Sequence, residues 1–348
     1  MTALGRVPWI YAVASGRRRD GSQGGGGADS GAIGDDDNAT RRPSGGRVAG
    51  WRSTGHALAA SAAAGLRQRA GLPVLTWPAF DPLPVEALVT TRHGGVSAGR
   101  YATLNLSFAV GDEAANVREN RRRAAAALGA DPAGFVFAAQ VHGRHAEVVS
   151  AADRGRGTLS AGDAVGPADA LVTAAPGTVL AILVADCVPI VLYDPGAHVL
   201  ACVHAGWRGT VARAAEAALA AMCSLGTRPR DVIAGIGPSV AAGSYQVGEE
   251  VARAARDAFG EELAGAAPDG FGEQARALLR PAGGPGQWLF DLPAANRHVL
   301  RTAGVPDRQI HVAATPTGPD PGLFFSHRAE RPCGRFALAA RLEPREQR

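Results

Sequence analysis

Residues 183–210 read LVADCVPIVLYDPGAHVLACVHAGWRGT. Two apolar runs, PIVLYD and VLACVHA, flank the turn residues Pro195 and Gly196, and each has the length and Val/Ile/Leu content of a buried strand. Four polar groups, Asp186, Cys187, His204 and Arg208, sit where these strands end, and such groups are costly to bury without partners. With a loop of Pro195 and Gly196 alone, Asp194 faces Ala197. The same register then sets Cys187 opposite His204, with Cβ atoms about 5 Å apart. Pro-Gly favours a type II turn, which splays a two-residue hairpin. A longer loop turns the pair into a diagonal one, and Pro189, with no N–H for the ladder, implies an edge or a bulge. In each case the two side chains stay near one sheet end, close enough for one metal ion with Zn–S of about 2.3 Å and Zn–N of about 2.0–2.1 Å. A cysteine in an apolar strand is equally read as a small buried hydrophobe, and a strand-end histidine as a hydrogen-bonded partner. Spacing alone leaves both readings open.

Outward from this hairpin, strands and helices alternate. VEALVTT (85–91), GFVFAAQVHG (134–143), HAEVVS (145–150), TVLAILVAD (178–186) and DVIAGIG (231–237) read as strands. DEAANVRENRRRAAAALGA (112–130) reads as a helix with Asp112 as N-cap and Gly129 closing it. TVARAAEAALAAMCSLG (210–226), GEEVARAARDAFG (248–260) and LPAANRHVLRTAG (292–304) read as further helices. The expectation is an α/β (α+β mixed) single domain over residues 73–348, its mixed sheet covered by helices. Residues 1–72 are expected to be an extension: 20–50 are rich in Gly, Asp and Arg and have the composition of a linker or disordered chain. The Ala-rich piece HALAASAAAGLRQRAG (56–71) reads as a short helix.

Composition narrows the chemistry. The 348 residues contain no lysine, so all 36 basic residues are arginine. That excludes a lysine Schiff base, a lysine general base and a Walker-type phosphate loop. The net charge of +4 is uneven: ten Arg against five Asp in residues 1–72, then 26 Arg against 27 acids. The folded part is not basic, and nucleic acid is not an expected partner. No run of 18 apolar residues suggests a membrane span. Arg17, Arg18 and Arg19 follow rather than precede the short apolar piece near the start, unlike a secretory signal. Four cysteines in so long a chain make no disulfide framework, and we expect a cytoplasmic protein.

Nine blocks, in order, carry a resemblance: TTRHGGVS (90–97), LNLS (104–107), VGDEAANVRENR (110–121), QVHG (140–143), ADALVT (168–173), ADCVPIVLYD (185–194), HAGWRG (204–209), IGPSVAAGSYQVG (236–248) and FFSHR (324–328). Together they resemble the bacterial YfiH family over about residues 73–342. That family was long described as laccase-like multicopper polyphenol oxidoreductases and is understood as purine nucleoside phosphorylases with adenosine deaminase activity. The resemblance implies one zinc ion held by His142, Cys187 and His204, which adds a third ligand to the hairpin pair. It implies a single α/β domain similar to cysteine-dependent toxin deamidases. Near the C-terminus the sequence departs from the family pattern. Ala314 stands where a Cys is frequent, His327 where Tyr is usual and Ala329 where a second Arg is common.

The implied reactions are phosphorolysis of adenosine, inosine, guanosine or methylthioadenosine, and deamination of adenosine. Three protein ligands with an open fourth position describe a catalytic zinc, and zinc brings the pKa of a bound water to about 7. Arginine forks suit phosphate, which makes Arg92 and Arg208 candidates. Asp186 is a candidate for orienting a ligand or moving a proton. Asn105 and Asp169 match family blocks near strand ends, where turn roles compete with substrate contact. Trp207 reads as a buried anchor or a purine-stacking ring. Two other chemistries compete. In a metal-free Cys–His hydrolase Cys187 is the nucleophile. In a copper oxidase the Cys and two His hold copper, but oxidation of phenols by oxygen needs several coppers and more ligands than nine scattered histidines provide.

Overall fold

The computed structural model describes residues 64–260, 278–318 and 322–345. Alternation along single strands explains the arrangement. In the strand Val179–Val184, Val179, Ala181 and Leu183 join one apolar cluster while Leu180, Ile182 and Val184 join another. In Val199–Ala205, Leu200 and Cys202 meet that second cluster, and Val199, Ala201, Val203 and Ala205 join a third. Successive side chains point to opposite faces of a strand, so both faces of both strands are buried. This is why these runs are continuously apolar rather than alternating.

The first sheet contains, in spatial order, Gly65–Arg69 (β1), Leu72–Thr76 (β2), Val85–Thr90 (β3), Phe336–Leu342 (β16), Val179–Val184 (β8), Phe135–Ala139 (β4) and Val165–Pro167 (β6). The second contains Ile310–Val312 (β15), Ile233–Ile236 (β11), Val188–Asp194 (β9), Val199–Ala205 (β10), Ala170–Thr173 (β7) and Ala146–Val148 (β5). Both are mixed, with parallel pairs β4–β8, β4–β6, β11–β15 and β5–β7. A small antiparallel sheet of Gln246–Gly248 (β12), Leu279–Pro281 (β13) and Gln287–Phe290 (β14) stands apart. The two large sheets pack face to face through Leu180, Ile182, Leu338 and Ala340 on one side and Val191, Tyr193, Leu200 and Cys202 on the other. Ala114–Ala127 (α1) covers the outer face of the first sheet through Ala124 and Ala125. Ala214–Ser224 (α3), Glu249–Phe259 (α4) and Leu292–Thr302 (α5) cover the outer face of the second. Trp207–Val211 (α2) is a short helix leading into α3. No helix among the described residues is long and apolar enough to cross a membrane.

The mixed α/β class expected from the sequence is the class observed, with the strands divided among two large sheets and a small third one instead of forming a single sheet. Three expectations are corrected. Residues 65–69 form β1, paired antiparallel with β2, where an Ala-rich helix ending at residue 71 was expected. Ordered structure therefore precedes Pro73; residues 1–63 lie outside the described residues. The helix expected over 210–226 starts at Trp207 and breaks at Arg213, which adopts a left-handed φ of 60° between α2 and α3. Asp112 does not cap α1 from the N-cap position, which Glu113 occupies. The Asp112 carboxylate is drawn instead to Ser97 and Asn105, at 2.6 and 2.8 Å.

Leu180 is fully buried between the sheets, whereas Leu66 on edge strand β1 is 50% exposed. Leu180→Ala is expected to lower stability by about 2–5 kcal/mol and Leu66→Ala by less than about 0.5 kcal/mol. Denaturant melts of the two variants check this layering.

Candidate metal centre

The β9–β10 ladder pairs Asp194 with Val199 and Pro189 with His204. The loop is thus Pro195–His198, two residues longer than the tight hairpin register. The Asp194 carboxylate closes it by accepting from the Gly196 and Ala197 amides at 2.7 and 3.1 Å, and His198 takes a left-handed φ of 59°. Cys187 therefore lies just before β9, beyond its pairing with β10, and stands diagonally from His204 rather than opposite it.

Crossings between the sheets bring the third ligand in. The chain leaves the first sheet at the end of β4, passes through Gln140–Val141–His142–Gly143 and enters the second at β5. It makes the same crossing from β8 to β9 through Ala185, Asp186 and Cys187. His204 stands near the end of β10, beside Asp169, which precedes β7: the His204 amide donates to the Asp169 carbonyl at 2.7 Å. Gln140 extends the β4–β8 pairing with its side chain, donating to the Leu183 carbonyl and accepting from the Leu183 amide, both at 2.8 Å. The outcome is a cluster in which one ligand atom each from His142, Cys187 and His204 lies within 4.8 Å of the others. The cluster is somewhat wider than the roughly 3–4 Å of a closed tetrahedral set. The two imidazole rings meet edge to face, centroids 4.7 Å apart. His204 is buried, Cys187 partly buried and His142 exposed, so the cluster opens on the His142 side.

Electrostatics follow from this packing. Burial pushes the Cys187 thiol up, but the His204 charge and hydrogen bonds from both histidines outweigh it and bring it to about 6. Burial pushes His204 down, and the Cys187 charge and the Asp169 hydrogen bond overcome this and raise it to about 9. Asp169, fully buried, is pushed up by burial but held below the usual carboxylate range by His204 and by backbone amides of Gly143 and His142. Cys187 and His204 thus each favour the other's charged form, and the Asp169 carboxylate backs the pair.

Five other residues stand out in the sequence, and their surroundings differ. Asp186 adopts a left-handed φ of 82°. Its two oxygens accept from the Thr317 hydroxyl and the Arg328 amide, each at 2.6 Å, so it ties the 317 and 328 loops to the turn that carries Cys187. Arg92 is 14% exposed; it pairs with Glu330 at 3.1 Å, donates to the Ala102 carbonyl and lies over the Phe325 ring. Arg208 is 60% exposed, lies over the Trp207 ring and comes no nearer than 3.9 Å to Glu250. Trp207 packs partly buried against the cluster beneath the second sheet. Asn105 is buried in a separate knot: its amide donates to Ser107 and Asp112, and its oxygen accepts from Ser107 and Arg335. Both donors and both lone pairs are used, which leaves nothing for a substrate.

Three residues gain weight only from the structure. Tyr245 is pushed up to about 12 by burial first and then by the Cys187 and Asp186 charges, against the opposing pull of Arg328 and Arg208; the exposed Arg328 guanidinium lies 5.1 Å from its ring centroid. Both residues lie in quoted motifs, IGPSVAAGSYQVG and FFSHR. Gly206 is the third. A Cβ there would come within 2.9 Å of Cys187 Sγ and 3.2 Å of His142 Cδ2. Its φ of −69° is open to alanine, so the demand for glycine comes from the ligands and not from the backbone. Gly206→Ala is expected to fold normally yet to hold any metal ion at this cluster at least about 10-fold less tightly, the scale of losing support around a metal ligand. Chelator competition alongside a thermal melt checks this.

Comparison with known proteins agrees with these blocks. A family model described as multi-copper polyphenol oxidoreductase laccase matches residues 86–343. A Deinococcus radiodurans protein named purine nucleoside phosphorylase is 43% identical over 68% of this chain and 81% of its own length. Purine nucleoside phosphorylase YlmD of Geobacillus stearothermophilus is 36% identical over 70% and 84%. The crystal structure of YlmD from Geobacillus stearothermophilus superposes with a TM-score of 0.72 at 34% identity, over 80% of this chain and 99% of that one. The Bacillus licheniformis hypothetical protein YfiH gives 0.70 at 31%, over 78% and 96%. The chain belongs to this YfiH/YlmD-type family of enzymes, the one whose model bears the multi-copper polyphenol oxidoreductase laccase description.

Proposed function

We propose that this chain is a cytoplasmic purine nucleoside phosphorylase working with one zinc ion held by His142, Cys187 and His204. Its substrates are phosphate and adenosine, inosine, guanosine or methylthioadenosine, and it also deaminates adenosine to inosine. The observation that carries the reading is the convergence of one sulfur and two imidazoles within 4.8 Å, in a chain whose relatives bear the phosphorylase name. A mixed sulfur and nitrogen donor set suits zinc. It also accepts a single copper, but a multicopper assembly requires more ligands than this one group among the described residues.

When bound, the ion supplies Lewis acidity where the cluster opens to solvent. The remaining work falls to side chains. In phosphorolysis a phosphate oxygen bonds to the ribose C1′, the bond from C1′ to the purine nitrogen breaks, and its electron pair leaves with the base. Arg208, exposed and paired only with a likewise exposed Glu250 at 3.9 Å, is the arginine suited to hold that phosphate. Arg92, already engaged by Glu330 and Phe325, instead supports the FFSHR turn. Asp186 supports the Cys187 turn. The Tyr245 hydroxyl, whose pKa burial and the Cys187 charge raise further, is a neutral donor near the same cluster. In deamination, water adds at C6 of adenine and ammonia leaves.

One observation favours a second reading. Asp169, His204 and Cys187 line up as orienting carboxylate, base and thiol, the order of a cysteine hydrolase. His142 separates the two. If zinc is required, His142→Ala removes one of three ligands. Bound zinc and phosphate-dependent release of base from adenosine or inosine should then fall together, by more than the roughly 10–100-fold typical of losing a supporting hydrogen bond. A hydrolase using His204 as its base would keep substantial activity in this variant. Metal analysis paired with turnover with and without phosphate decides; full activity in a metal-free His142→Ala protein defeats the zinc reading.

A further inference from the structure

The Asp169 carboxylate reaches two of the three ligands at once. Its Oδ1 lies 2.8 Å from His204 Nδ1 and accepts from the His142 amide at 2.9 Å. Its Oδ2 accepts from the Gly143 amide at 2.5 Å and the Val141 amide at 3.3 Å. Four donors fill the four lone-pair positions of an ionised carboxylate, and the side chain is wholly buried. We propose, on the metal reading above, that Asp169 is the positioning residue of the centre: one carboxylate sets both the ring nitrogen that His204 presents and the backbone conformation that presents His142.

The His204 half follows from hydrogen-bond chemistry. A neutral imidazole carries one N–H. A carboxylate only accepts, so the proton sits on Nδ1 and the lone pair of Nε2 is left for a metal. The His142 half follows from the loop. Three successive amides, of residues 141, 142 and 143, turn toward one anion, which makes a backbone nest. Such a nest needs a left-handed residue, and His142 supplies it with a φ of 60°, an unfavourable conformation for a side chain with a Cβ. The buried anion stabilises that conformation. Asparagine at 169 cannot replace it. Its single carbonyl oxygen cannot satisfy four donors, and its NH2 would face another N–H. Turned toward His204, that NH2 would favour the tautomer with the proton on Nε2.

Zinc alone is the probe. Wild type and Asp169→Asn are titrated with zinc against a chromophoric chelator, and cobalt(II) absorption reports ligand geometry. Circular dichroism and melting of the chelator-treated proteins show whether the variant folds. The expected result is one tight zinc in wild type and binding about 10–100-fold weaker in a folded Asp169→Asn, with a changed cobalt spectrum. Unchanged affinity in the folded variant overturns the proposal. If the variant does not fold, nitrogen-15 NMR of the zinc-loaded wild type decides: a proton on His204 Nδ1 supports the proposal, and a proton on Nε2 overturns it. A wild type that takes up no zinc defeats the metal reading, and this proposal with it; a zinc-binding wild type beside an unaltered variant defeats only the part given to Asp169.

Discussion

Two sheets packed face to face, each with helices on its far side, leave their strands little polar freedom. A chain built this way must cross from one sheet to the other, and it does so at the exits of β4 and β8. These crossings lie at the sheet end where β10 delivers His204 and where β7 begins after Asp169. Here the apolar layer between the sheets ends and polar side chains find room. The ligand cluster is thus a product of topology: His142 joins the hairpin residues Cys187 and His204 because two crossovers and one strand end share an edge of the sandwich.

Holding them there takes buried hydrogen bonds, since an unpaired polar group in such a place is costly. Each of the three chain segments has a dedicated anchor. Gln140 copies the β4–β8 ladder with its side chain. Asp186 fastens the Cys187 turn to the loops at 317 and 328. Asp169 holds the segment of His142 and the ring of His204. Two of the residues in left-handed backbone, His142 and Asp186, fall within this small region, and strain of that kind persists only where surrounding contacts over-determine it. The anchors are those contacts.

The same arrangement accounts for why the family description and the names of the relatives point to different chemistries. One sulfur and two imidazoles are a donor set that accepts several soft or borderline metals, and a low-pKa thiol beside an imidazole is also the core of a hydrolase. Ligand type alone does not choose among them. Nearby, the exposed Arg328 guanidinium lies over the Tyr245 ring, and the Arg328 and Arg208 charges act on Tyr245 against those of Cys187 and Asp186.

Much of this was legible in the chain itself. Apolar runs of strand length announce β8, β9 and β10, the hairpin between β9 and β10 sets Cys187 near His204, and the QVHG block adds His142. Those features are local: side-chain type and run length act on the residues that carry them. What the chain could not settle depends on partners distant in sequence. The loop after Asp194 is four residues long because its carboxylate caps two amides, a choice no dipeptide rule specifies. The helix expected over 210–226 breaks at Arg213 although its composition is helical. The GLRQR segment follows an alanine run yet pairs with β2 as a strand, because a neighbouring strand offers hydrogen bonds that local propensity does not count. Asn105 and Asp169 looked alike in sequence, each a polar residue near a strand end. Only the tertiary structure separated them, by setting one in a closed knot with Ser107, Asp112 and Arg335 and the other against two of the ligands, since the direction of a buried side chain is decided by what packs around it.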